Sequence, residues 1–166
     1  MKDSPLAFFV TWTCYGTWVP GDDRGWTKWH NGDQHPKPFL AEWCREQMVE
    51  SSVLLDAEQR ETVNDVVREH CKKRKWRLHG VNCRTNHCHV VVSAPGYSGD
   101  QVRDQLKSWS TRLLKDRQQA QGVADLREHW WSRRGSVRCL FDDESLDAAI
   151  RYCLEAQDIG GSKANE

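Results

Sequence analysis

Residues 86–92, Asn-His-Cys-His-Val-Val-Val, are the stretch that most restricts how this chain can fold. The stretch is β-branched and apolar after its second histidine, has the length of a strand, and is followed by a Pro-Gly turn signal. Side chains at i and i+2 of a strand share a face, so His87 and His89 are predicted to stand side by side, with Cys88 on the opposite, buried face. Two parallel imidazoles on a rigid strand can chelate one divalent metal ion or hold one phosphate.

The pattern along the whole chain predicts one α+β domain over residues 1–166. The predicted order is strand, helix, strand, strand, helix, strand, helix. Strands are expected at 6–14, 76–82 and 86–93 and within 130–141, and long helices at 57–73, 99–121 and 143–157. The first six elements have the split βαβ order of a ferredoxin-like antiparallel sheet with helices on one face, and the seventh is a C-terminal helix that carries Tyr152.

Residues 15–55 interrupt this order after the first strand. Residues 15–38 are rich in Trp, Gly and Pro and have neither helical nor strand period, so they predict a long loop, followed by a short helix at 41–51. The Trp content argues against disorder, and we expect an ordered insertion whose tip, Asp22 to Arg24, forms a turn. The small, polar residues 158–166 are expected to form a flexible tail.

Charge and cysteine content restrict the class of protein. The chain carries 24 basic and 24 acidic residues, which counts against a general basic coat for nucleic acid. Basic residues nevertheless concentrate at 68–84 and 126–138, as expected either for a basic face or for solvated helix surfaces. The seven cysteines show no metal-knuckle spacing, and the sequence shows neither a signal peptide nor an apolar membrane span, so a reducing cytoplasm is the expected setting.

Aromatic residues supply two further candidates. Nine tryptophans are many for 166 residues; some are expected in the core, and others could stack on unpaired bases. Tyr152 lies within the apolar last helix, where it could act as a covalent nucleophile or simply pack with its hydroxyl bonded. Its position alone favours packing.

The ordered combination of these motifs resembles a known family. Asn-His-hydrophobic-His on a strand, a later strand containing Gly-Ser, and a helix with Tyr and Gln resemble the single-tyrosine HUH transposases of the insertion-sequence-200-like superfamily, and most closely the REP-associated tyrosine transposases. The resemblance covers residues 8–16, 76–92, 107–114 and 130–157.

The resemblance implies an enzyme that nicks single-stranded or hairpin DNA and transfers the strand, acting as a homodimer. His87 and His89 would hold Mg²⁺ or Mn²⁺, and Tyr152 would attack the phosphorus, giving a 5′-phosphotyrosine intermediate and a free 3′-hydroxyl. Because phenol is a poor nucleophile at neutral pH, a nearby cation is needed to favour phenolate. The hypothesis therefore requires that the two imidazoles are not turned into the apolar interior, that an opening to solvent lies beside them, and that the phenol can reach them.

The third metal ligand is less well defined by the pattern. In relatives it is often a Gln or Asn four residues beyond the tyrosine, and here that position is Ala156. Gln157 resembles the end of the family motif and is the assigned ligand; Glu155 is the alternative, because it lies closer to Tyr152 around an ideal helix.

Contacts to DNA are expected from polar and basic residues along the path of the strand. The candidates are Arg84, Asn86, Lys107, Arg133, Arg134 and Arg138.

Two alternatives to the enzyme remain open from the sequence. One is a non-catalytic, domesticated regulator that binds DNA hairpins, suggested by Ala156 and the zero net charge. The other is a structural zinc module of Cys83, Cys88 and a histidine, which strand alternation disfavours because it sets Cys88 opposite both histidines.

Overall fold

A computed structural model describes residues 3–28 and 30–155 of the chain. Its elements in chain order are β1 (Ala7–Thr13), β2 (Trp26–Lys28), β3 (Gly32–Gln34), α1 (Pro38–Glu46), α2 (Ala57–Arg74), β4 (Arg77–Cys83), β5 (His87–Ser93), α3 (Gly99–Ala120), β6 (Ser136–Leu140) and α4 (Asp143–Glu155). The predicted tail at 158–166 lies outside the described residues.

The main sheet has four strands in the order β4-β5-β1-β6, and each neighbouring pair is antiparallel. Apart from the insertion, this is the strand order of a ferredoxin-like fold, so the predicted α+β class and architecture are confirmed. A β-bulge between Leu78 and Gly80 interrupts the pairing of β4 with β5.

One face of the sheet forms the larger apolar core. Val10 pairs with Val90 and Trp12 with Cys88, and all four side chains are buried beneath α2 and α3. The even-numbered positions of β5 thus lie in the core, as the alternation predicts.

The two long helices begin at capping boxes. The Asp56 side chain accepts from the backbone N–H of Gln59, and Ser98 caps α3 in the same way. The buried face of α2 follows the apolar residues that recur at helical spacing in its sequence. In α3 the same spacing predicts that Trp109 and Leu113 face the sheet, but the helix is rotated and both are partly exposed. The buried positions of α3 are Gly99, Val102, Arg103, Leu106, Ser110 and Leu114. Within the described residues, no helix is both long and apolar enough to cross a bilayer.

Helix α4 packs on the opposite face of the sheet from α2 and α3. Ala149 and Cys153 are buried against Val91 and Leu140, and the Asp142 side chain accepts from the backbone N–H of Ser145 at the start of the helix. Helical spacing predicts that Leu154 packs with Ala149 and Cys153, but Leu154 is 57% exposed.

The insertion is more regular than the predicted loop. It contains the β2–β3 hairpin, and α1 begins at Pro38, three residues before the expected helix. Its tip is the predicted turn: the Asp22 carboxylate accepts from the backbone N–H and the guanidinium of Arg24, which holds the pKa of that carboxyl well below its usual range.

Candidate active site

The two histidines of β5 lie on the face of the sheet that α4 covers. His87 pairs with Thr13 and His89 with Thr11 of β1, and the centroids of the two imidazole rings are 4.6 Å apart. Because successive residues of a strand face opposite sides of the sheet, both histidines point away from Cys88 and the large core. The imidazoles thus lie outside the large core, as the hypothesis requires, but both are almost fully buried, and the expected opening to solvent is not seen among the described residues.

Each imidazole is oriented through its Nδ1 atom. His87 Nδ1 lies 2.8 Å from Asn86 Oδ1, and His89 Nδ1 lies 2.7 Å from Thr11 Oγ1. An amide oxygen can only accept, so His87 donates from Nδ1, and in its neutral form the lone pair is on Nε2. Such partners behind a metal-binding histidine fix the ring and the nitrogen that it offers.

The environment keeps His89 neutral. Burial, with a smaller effect from neighbouring His87, lowers the pKa of His89 from 6.5 to about 4. A neutral imidazole has the lone pair that a metal ion requires, so no proton must leave His89 before it can act as a ligand near pH 7.

Access to the two rings is restricted. His87 is 0% and His89 is 5% exposed, and the ring of Phe9 lies 5.4 Å from that of His89, centroid to centroid. A phosphate can approach the imidazoles only if neighbouring side chains or the end of α4 shift.

Tyr152 stands beside this pair and is open to solvent. Its ring centroid is 5.5 Å from that of His89, and the residue is 62% exposed. The helix is held here by two contacts of Cys153: its carbonyl accepts from Asn82 Nδ2 at 2.9 Å, and its thiol donates to the His89 carbonyl at 3.5 Å. The exposure contradicts the simple packing role that position alone favoured.

The donor atoms that this pair could offer a cation are imidazole nitrogens. Within the described part of the chain, no group of three His, Cys, Asp or Glu side chains could enclose an ion. Gln157, the assigned third ligand, lies outside the described residues, and Glu155 is exposed at the end of α4. Two imidazoles on one face fit a divalent ion whose remaining ligands come from other groups or from substrate.

The thiols do not form the alternative zinc site. Cys88 lies in the core with Val90 and Val92, on the face opposite both histidines. Burial raises the pKa of its thiol well above the ordinary value, which opposes the thiolate that zinc binds.

The proposed DNA contacts occupy different environments. Arg138 is exposed on β6 with its guanidinium carbon 5.6 Å from the Phe9 ring centroid, beside the histidine pair. Arg133 and Arg134 are exposed in the segment before β6, and Arg84 is in the turn between β4 and β5, where its N–H donates to the His87 carbonyl.

Asn86 and Lys107 both take part in contacts that hold the site together. Asn86 is buried behind His87, as described above. Lys107 donates from Nζ to the carbonyls of Ser132 and Arg134, at 2.7 and 2.6 Å, and so braces the segment that leads into β6. Burial lowers the pKa of its ammonium to about 8.

Gly135 permits the close approach of that segment to β1. Its φ is +137°, and a Cβ atom there would lie 2.4 Å from the Thr11 carbonyl oxygen. The backbone contact places Ser136 opposite Thr11, next to the histidine face. Only glycine accommodates both the conformation and the distance.

Sequence reasoning missed Thr11, Phe9 and Asn82 as parts of this site. All three lie on strands beside β5 and contact either His89 or the Tyr152 helix. The sequence shows that Phe9 and Thr11 are alternate residues of β1 and so share a face, but it does not show the register that places Thr11 opposite His89.

Comparison with known proteins assigns the family. The model of the family described as "Transposase IS200 like" matches residues 47–155, which is more than half of the chain. The chain belongs to this IS200-like transposase family. No curated protein sequence matches it significantly.

A solved structure supports the fold. The crystal structure of a "putative transposase" from Deinococcus radiodurans R1 is 14% identical with a TM-score of 0.51, over 92% of this chain and 95% of the other. At this identity the similarity establishes fold alone. The family match includes β5 and α4 but leaves β1, with Thr11, and most of the insertion outside it.

Proposed function

We propose that this IS200-like transposase is of the single-tyrosine HUH type, closest to the REP-associated group, and nicks and rejoins single-stranded or hairpin DNA through a covalent tyrosine intermediate. The observation that carries the proposal is the exposed phenol of Tyr152 beside His89 and on the same sheet face as His87. A tyrosine packed for stability alone would have its ring covered.

The reaction is a displacement at phosphorus. The Tyr152 oxygen loses its proton and forms a bond to the phosphorus, while the bond from phosphorus to the 3′-oxygen of the preceding nucleotide breaks. The strand is left with a 5′-phosphotyrosine link and a 3′-hydroxyl that takes up a proton. Attack by a second 3′-hydroxyl on the same phosphorus reverses the step and joins a new strand.

The chain's own residues prepare this step. His87 and His89 would hold Mg²⁺ or Mn²⁺ through Nε2, with Gln157 or Glu155 as the further protein ligand. When bound, the cation supplies Lewis-acid stabilisation of the charge that develops on the phosphate and phenolate. Asn86 and Thr11 orient the imidazoles, and Arg138 offers a positive charge to the phosphate beside them.

The family resemblance also implies a homodimer. Phe141, just before α4, and Leu154, on α4, are exposed apolar residues and fit a surface that a second copy would cover. The mass of the protein in solution, measured by light scattering, checks this expectation.

The burial of the imidazoles favours a second candidate function. If α4 does not shift to admit a phosphate, the chain would bind hairpin DNA without cutting it, as a domesticated regulator. Such a protein would bind equally with EDTA present and after Tyr152→Phe.

The deciding experiment uses labelled hairpin oligonucleotides taken from palindromes that flank the gene, incubated with the protein and Mn²⁺. We expect a DNA–protein adduct that survives denaturation in the wild type and is absent in Tyr152→Phe. Tyr97→Phe is the matched control, because Tyr97 packs against the core on the other side of the sheet, 5.1 Å from Trp76 between ring centroids.

The outcomes separate the two functions. An adduct that persists in Tyr152→Phe would refute the assigned nucleophile. Tight binding of a flanking hairpin with no adduct in any variant would favour the regulator.

A further inference from the structure

A large cavity lies between the insertion and the segment before β6. Its volume is about 1160 Å³, somewhat above the range of about 300–1,000 Å³ typical of small-molecule pockets. Its walls come from β1, the β2–β3 hairpin, α1 and residues 129–136.

Three indoles line this cavity, and each is held by its own N–H. Trp18 Nε1 donates to the Gly25 carbonyl at 2.7 Å and Trp26 Nε1 to the His35 carbonyl at 3.0 Å. Trp131 Nε1 donates to the Lys107 carbonyl at 3.3 Å. All three rings are partly exposed, so what they offer a ligand is mainly π surface in a fixed orientation.

The charges at the cavity favour an anionic ligand. Arg133 and Arg134 line it together with the Asp33 carboxylate, and Arg24 lines it with its charge matched by the buried Asp22 carboxylate. The Arg24 guanidinium carbon lies 4.3 Å from the Trp18 ring centroid while its nitrogens bond the buried Asp22 carboxylate, so this stack is rigid. Arginines around fixed aromatic rings are the arrangement by which proteins hold unpaired nucleotides.

Two residues that line the cavity pair across the sheet with residues of the candidate active site. Thr13, which lines it, pairs with His87 across the sheet, and Ser136, which also lines it, pairs with Thr11 behind His89. These side chains share the face of the histidine pair. A strand whose phosphate lies at Tyr152 could therefore extend one of its neighbouring nucleotides into the cavity.

We propose that this cavity is a binding pocket for an unpaired base of the DNA strand, stacked on the indoles of Trp18, Trp26 or Trp131 and flanked by arginines that take the adjoining phosphates. The proposal rests on the proposed function for the identity of the strand. Because most of the insertion lies outside the family match, the pocket would give this chain its own choice of sequence beside the cleavage site.

Binding of single-stranded DNA to pocket variants tests the proposal. The probe is a fluorescein-labelled 20-nucleotide strand of mixed sequence, titrated by anisotropy, with the corresponding duplex for comparison. Trp18→Ala and Trp26→Ala are expected to weaken binding of the single strand by about tenfold each, with little effect on the duplex. Trp43→Ala is the matched control, because this Trp of α1 is 58% exposed and does not line the cavity.

A second measurement keeps the test decisive if a Trp variant unfolds. Strands that carry 5-iododeoxyuridine are irradiated with the wild-type protein, and the cross-linked peptide is identified by mass spectrometry. Attachment at one of the three pocket indoles supports the proposal. Attachment confined to other residues overturns it.

The results distinguish the pocket from the catalytic proposal. Trp variants that bind the single strand like wild type, in a protein that forms the Tyr152 adduct, would overturn the pocket and leave the nicking function standing. Loss of binding in those variants, in a protein that forms no adduct on any hairpin, would support the pocket and count against nicking.

Discussion

Cys88 and His89 are consecutive residues of β5, are both almost fully buried, and face opposite sides of one sheet. Burial raises the pKa of the Cys88 thiol and lowers that of the His89 imidazole, so both are neutral near pH 7. A neutral thiol is inert, whereas a neutral imidazole carries the lone pair that a metal ion needs. The same physical effect makes one face passive and prepares the other for chemistry.

The two faces also differ in what covers them. The core face is closed by two long helices that bury branched side chains such as Val63 and Leu106. The other face is covered by α4 through the small residues Ala149 and Cys153, and this helix carries an exposed tyrosine. Stability and function are therefore expected to respond to mutation on different faces.

The largest effect should come from substituting His89 or Val90, which are consecutive in β5 and face opposite sides of the sheet. His89→Ala removes a proposed ligand and should lower adduct formation more than about 100-fold, beyond the losses typical of residues behind a metal ligand. Val90→Ala leaves a core cavity and should cost about 2 kcal/mol of unfolding free energy while the folded fraction keeps its activity. Urea denaturation and adduct yield per folded molecule measure both; equal loss of activity in the two variants would remove the distinction between the faces.

Substitution of Gly135 tests whether the segment before β6 must lie so close to β1. Gly135→Ala places a Cβ against the Thr11 carbonyl at positive φ, and should cost about 2–4 kcal/mol. Gly122→Ala is the matched control, since Gly122 also has positive φ (+73°) but a Cβ there would have nothing within 4 Å. Similar unfolding free energies for the two variants would show that the contact is not tight.

Substitution of Thr11 tests whether a residue of β1 orients the His89 imidazole. Thr11→Val keeps the shape but removes the hydroxyl 2.7 Å from His89 Nδ1, and should weaken Mn²⁺ binding about 10-fold or more. Thr11→Ser should restore it. Titration calorimetry with Mn²⁺ measures both variants, and a failure of serine to restore affinity would indicate a packing role for Thr11 instead.

The smallest effect concerns the thiols. Cys139 is exposed, whereas Cys71 and Cys153 are buried, and burial raises the pKa of both buried thiols to about 12. Maleimide should therefore label Cys139 rapidly and the buried thiols only on unfolding. Since thiols ionise near pH 9 in the unfolded chain, their contribution to stability should be present below pH 9 and lost as the pH rises towards 12. Urea denaturation of wild type and Cys71→Ala across this range measures the difference.

The sequence was most informative where one periodicity decided the structure. Strand alternation correctly separated Cys88 from the histidines, and the expected helix at 57–73 agrees with α2, which begins after the capping residue Asp56. The fold class followed from the order of such elements. These patterns involve only residues close in sequence, and they predict an element correctly when one of its faces must be buried.

Features that depend on packing between distant segments could not be predicted in this way. The partnership of Thr11 with His89 requires the register between β1 and β5, which no local pattern encodes. In α3, Trp109 fits the helical stripe, yet Ser110 is buried in its place, because the rotation of a helix depends on what it packs against. Tyr152 was assigned a role by resemblance, and its exposure is visible only in three dimensions.

The pairing of Thr13 with His87 has a consequence for where a strand would be cut. It fixes the separation between the tryptophan-lined cavity and the histidine pair by the hydrogen-bond ladder of one rigid sheet. A base bound in the cavity would then fix the number of nucleotides between that base and the phosphate that is cut. Because a one-residue slip of β1 would turn its alternate side chains to the wrong face, this spacing could not drift without unfolding the protein.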